Sequence, residues 1–165
     1  MKNPLKATRS SGPGCVAALA LCALLLPTTG GAKERVERPF QSHGDATILL
    51  DLASGVWTKT FSGVATHGGV YRDQLGTGLG PYGSGTVTVA SGDQVNWSIV
   101  LTALDLDPVN GTATIEGTGM WEGGTGRFDG VSGGFHAEYR GTLEFVTETV
   151  VKLTLTFEIT GTMTY

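Results

Sequence analysis

Histidine is the first residue type to examine, because imidazole serves both as a metal ligand and as a proton carrier near neutral pH. The chain has three, His43, His67 and His136, and no two of them stand at a metal-ligand spacing, so no metal site is expected. His43 falls in a polar stretch, and His136 lies on the polar side of an alternating segment. His67 sits beside Gly68-Gly69 at the end of such a segment, where the rim of a barrel would lie. Rims and loops carry function more often than strand faces do, although a histidine there also serves simply to hold a turn. Arg72 with Asp73, and Arg127 with Asp129, bring opposite charges close together, but exposed pairs of this kind contribute little. There is no Gly-x-Ser-x-Gly elbow. The two cysteines, Cys15 and Cys22, both fall in an apolar N-terminal run, so no thiol nucleophile remains beyond it. Residues 123–133, GGTGRFDGVSG, look like a phosphate cradle. Such a cradle opens a helix, however, and strands are expected on both sides here. The glycines are read instead as supplying positive φ, with Phe128 packed over one end of the fold. No catalytic residue and no cofactor is assigned.

The elements that would position these residues are strands. The clearest covers residues 151–165, where Val151, Leu153, Leu155, Phe157, Ile159, Met163 and Tyr165 alternate with Lys, Thr and Glu. A period of two with one apolar face is the signature of a half-buried strand. Straight, it would run to nearly 50 Å at about 3.3 Å per residue, so a bend or bulge is expected at Gly161. Residues 135–145 and 95–103 alternate in the same way, the latter through Val95, Trp97, Ile99, Leu101 and Ala103. Weaker strands fall at 47–52, 58–66, 70–75, 85–89 and 112–121. Ser91-Gly92-Asp93 and Asn110-Gly111 are hairpin turns. Eight short-linked strands imply antiparallel, up-and-down order, and closing them into a barrel removes exposed edges. The expected fold is therefore a single antiparallel eight-stranded up-and-down β-barrel, with a two-sheet sandwich as the alternative.

Ahead of these strands the chain reads as an export signal. Lys2, Lys6 and Arg9 precede eleven unbroken apolar residues at 16–26, too few for the roughly 20 that a membrane span needs. Pro27 ends the run, and the small residues Gly30 and Ala32 suit peptidase cleavage after Ala32. Residues 1–32 are thus expected to be a signal peptide, 33–45 a flexible leader and 46–165 the barrel, in a secreted or periplasmic protein. Without the signal, eight basic residues face fifteen acidic ones, a formal charge of −7. A phosphate-binding surface wants the opposite sign, so nucleic acid is not expected as a partner.

Three motifs carry a resemblance. Residues 63–69, GVATHGG, resemble the G-T-A-T-H-L-G segment of exported bacterial proteins of unknown role. Residues 90–95, ASGDQV, resemble their A-N-G-D-x-L turn, and residues 123–133 their G-G-T-G-R-F-x-G loop. That loop is also similar to the G-G-T-G-x-F loop of plant dirigent proteins and allene oxide cyclases. The resemblance to those families implies an eight-stranded barrel with an apolar cavity. The catalytic acids and arginines of the plant enzymes have no counterparts here, so activity is not carried over.

The expected role is that of an exported, non-catalytic barrel whose interior is either packed with side chains or holds a small apolar molecule, with Trp97, His67 and Tyr139 as ligand-binding residues in the second case. Inward positions occupied by Ala103, Ala113, Ala137, Gly117, Gly119, Gly141 and Gly161 leave space, whereas Trp97, Phe135, Tyr139 and Phe157 fill it. One rival is a cyclase or isomerase working in the cavity, against which the apolar faces present no ionisable side chain. The other is an outer-membrane barrel, since Phe157, Ile159, Met163 and Tyr165 resemble a closing membrane strand. Stable membrane insertion is not expected, because several strands lack the apolar face and aromatic girdle that lipid requires.

Overall fold

A computed structural model describes residues 35–165. The expected signal, 1–32, and the first two residues of the expected leader lie outside the described residues. The strands are β1 (Glu37–Asp51), β2 (Val56–Ala65), β3 (Gly69–Leu79), β4 (Tyr82–Thr88), β5 (Gln94–Asp107), β6 (Thr112–Gly124), β7 (Gly134–Phe145) and β8 (Val150–Thr164). Each pairs antiparallel with the next, and β8 returns to pair with β1, closing an up-and-down barrel.

Alternation explains most of the chain's placement. In β8, Val151, Leu153, Leu155, Phe157 and Ile159 are buried, while Thr154, Thr156, Glu158 and Thr160 face water. The ladder to β1 runs through Gly161 without a register shift and that to β7 ends at it, so no bulge stands there. Glycine is needed there for another reason: a Cβ would strike the Gly134 carbonyl and stand 2.7 Å from the Cα of Phe135. The backbones of β7 and β8 approach too closely for a side chain.

Two further expectations are corrected. The first strand begins at Glu37, not Thr47, so most of the predicted leader is strand, paired along its whole length with β8. Its inward positions are Phe40, Ser42, Gly44, Ala46 and Ile48. A serine and a glycine on that face hide the alternation. In β5 the parity breaks at a register shift between Leu101 and Ala103, which turns Ala103 outward and brings Leu104, itself half-exposed, to the wall of a small cavity. A bulge inserts one residue and re-aims every side chain beyond it.

The inward glycines leave little empty space, because large neighbours fill it. The Trp97 ring lies over Gly76 and Gly85, where a Cβ would come within 2.7 and 2.6 Å of it. Trp57 covers Gly78 and Gly83, Phe135 covers Gly119, and Ile99 covers Gly117. Residues 123–133 form no helix beyond a short 3-10 turn, Gly126–Phe128. Gly123, Gly126, Gly130 and Gly133 all take positive φ. Phe128 is buried, with its ring 5.6 Å from that of Tyr165, and closes one end of the barrel. Arg127 pairs at 3.6 Å with Asp93 rather than with Asp129.

Candidate ligand-binding site

Strand β2 points Trp57, Lys59, Phe61 and Ala65 inward. Lys59 therefore stands inside the barrel, only 5 % exposed, which corrects the expectation of an interior without ionisable groups. Its Nζ donates to the Tyr139 hydroxyl of β7 at 3.1 Å. The same nitrogen lies 4.5 Å from the ring centres of Phe61 and Trp97 and 5.1 Å from that of Tyr139. Ring faces attract a cation by about 0.5–2 kcal/mol each, most where water is excluded. That offsets part of the large cost of burying a charge. Among the described residues the ion pairs are Arg127–Asp93, His136–Glu138 and Arg140–Glu138, and none of them involves Lys59.

A second polar pair lies nearby. The Ser42 and Tyr71 hydroxyls are 2.6 Å apart and buried. Burial pushes the Tyr71 phenol up to about 12, against the opposing pull of the Ser42 hydrogen bond. At neutral pH Tyr71 is a neutral phenol, not a base. The indole N–H groups of Trp97 and Trp121 are buried without a hydrogen-bond partner, whereas that of Trp57 donates to the Gly80 carbonyl at 3.0 Å.

These residues enclose an interior cavity of about 50 Å³, walled by Lys59, Tyr71, Trp97, Trp121 and Tyr139 and reaching His67 at the rim. A single water needs roughly 10–15 Å³ by this kind of measure, so the space admits a few heavy atoms. A second cavity of about 40 Å³ lies beyond, bounded by Trp57 and Leu153, and shares Lys59, Ile99 and Tyr139 with the first. Lys59 and its hydroxyl partner thus stand at the partition between two small apolar spaces.

The structure brings Trp97, His67 and Tyr139 onto the wall of one cavity. His67 also holds its turn: Nε2 donates to the Pro39 carbonyl at 2.8 Å, and its ring packs on Tyr165. His43 and His136 point outward. Among the described residues no group of three or more His, Cys, Asp or Glu side chains comes together. Lys59 was missed because its type reads as solvent-facing. The available signal was parity, since it sits two residues from both Trp57 and Phe61. Compared with known families, with curated proteins and with solved structures, the chain matches none.

Proposed function

We propose that this chain is an exported, non-catalytic barrel of the allene oxide cyclase/dirigent-like kind that holds one small apolar molecule beside Trp97. The observation that carries the reading is the cavity itself, an apolar space with a few polar groups, the usual make-up of a small-molecule site. The closed up-and-down barrel and the Phe128 loop over its end support the grouping. Outward positions support a barrel surrounded by water: β7 presents His136, Glu138 and Arg140, and β8 presents Lys152, Thr154, Thr156 and Glu158. A membrane barrel has an apolar band at such positions. The formal charge of −7 beyond the signal supports the absence of a nucleic-acid partner.

Titration with small apolar compounds, followed through tryptophan fluorescence, tests this directly. A saturable change that is lost in Trp97→Phe is expected. No saturable change with any compound small enough to enter would overturn the reading.

One observation favours a cyclase or isomerase instead, namely Lys59 and the Tyr71 and Tyr139 hydroxyls on the cavity wall. Chromatography of the ligand after prolonged incubation separates the two. Binding returns it unchanged, whereas an enzyme returns an isomer and loses that activity in Lys59→Met.

A further inference from the structure

Away from His67 at the rim, the unpartnered side-chain polar groups of the larger cavity wall are donors. The Lys59 ammonium has three N–H groups and one hydrogen-bond partner, the Tyr139 oxygen. Trp97 and Trp121 each carry a buried indole N–H with no partner. The Ser42 and Tyr71 hydroxyls engage each other. No carboxylate or side-chain amide is among the residues that line the cavity. Surrounding walls are aromatic and aliphatic, and Lys59, the buried cation among the described residues, is in an ion pair with none of them.

We propose that the occupant is a small apolar monocarboxylic acid, bound as its anion, with Lys59 as the counter-charge. This rests on the ligand-binding reading above and adds the chemistry of the head group. A carboxylate offers about four acceptor sites and no donor, the complement of an ammonium with two N–H groups still free. One negative charge against one buried cation leaves the interior neutral, and charge-assisted hydrogen bonds of this type are the strong ones. A neutral hydrocarbon or alcohol leaves the ammonium unpaired, an amine is repelled, and a dianion brings a charge that nothing answers. The length of the acid follows from the two spaces on either side of Lys59. Its carboxylate sits at the partition, and a short aliphatic tail occupies the cavity under Trp97 and Trp121.

The test compares propanoate and butanoate with 1-propanol, 1-butanol and butylamine, by calorimetry and tryptophan fluorescence, on the wild type and on Lys59→Met. The acids are expected to bind the wild type at least tenfold more tightly than the alcohols, and butylamine not to bind. Lys59→Met, checked for folding by circular dichroism, should bring acid and alcohol within about twofold of each other. Should that variant not fold, the wild-type ranking alone decides. Equal affinity for acid and alcohol overturns the carboxylate assignment and leaves the apolar-ligand reading standing. A preference for butylamine overturns it as well. Failure of every compound to bind overturns both, and makes Lys59 a purely structural cation held by its three rings.

Discussion

Tyr71 keeps its proton because the phenolate has nowhere to be solvated inside the barrel. Its folded value, about 12, lies above the ordinary 10. Between those values the unfolded chain has lost a proton that the native protein retains, so stability falls as pH rises. The contribution is fully present below pH 10 and is lost by about pH 12, amounting to roughly 3 kcal/mol at one pKa unit per 1.36 kcal/mol. Urea unfolding at pH 9, 10 and 11.5 should show the decline, and Tyr71→Phe should flatten it. At the turns, Asp51 and Asp107 accept hydrogen bonds from Ser54 and Asn110 and are held below the usual carboxylate range. Such residue-scale features were only partly legible in the sequence. The placement of Trp97 and Tyr139 follows from alternation. Lys59 follows from the same alternation only if its charge is disregarded. The unpartnered indole groups depend on packing across the barrel, which no local pattern encodes.

At the scale of elements, alternation identified eight strands and their order, because one buried face forces a period of two. It failed where that face is interrupted. The inward Ser42 and Gly44 concealed the first half of β1, and the shift between Leu101 and Ala103 reversed the end of β5. The small inward residues suggested open space, but rings from neighbouring strands occupy it. Trp97 over Gly76 and Gly85 joins two segments that share no sequence pattern. Register in β8 can be checked with a pair of neighbours. Phe157 is buried against Tyr139 and Phe61, with ring centres 5.8 and 6.3 Å away, whereas Thr156 is exposed. Phe157→Ala should cost about 3–5 kcal/mol in denaturant unfolding, and Thr156→Ala no more than roughly 0.5. Equal losses would mean that the strand faces the other way.

For the whole molecule, no cysteine lies among the described residues, so the barrel stands without disulfides. If export removes residues 1–32, both cysteines leave with them. The intact mass of the released form should then correspond to 133 residues starting at Lys33, and its melting temperature should not respond to dithiothreitol. A mass that retains the segment through Leu26 would contradict the cleavage. The ladder between β1 and β8 has a consequence for synthesis. Proteins are made from the N-terminus, so β1 can pair with β2 early, while its other edge waits for the last strand to emerge. All of Glu37–Asp51 finds its second partner only there. During that interval the nascent chain presents an unpaired edge, the usual template for aggregation. The outward charges of Glu37 and Asp45 stand along that strand, and charges of this kind discourage edge pairing. They act as gatekeepers for a chain that cannot finish its first strand until it has made its last.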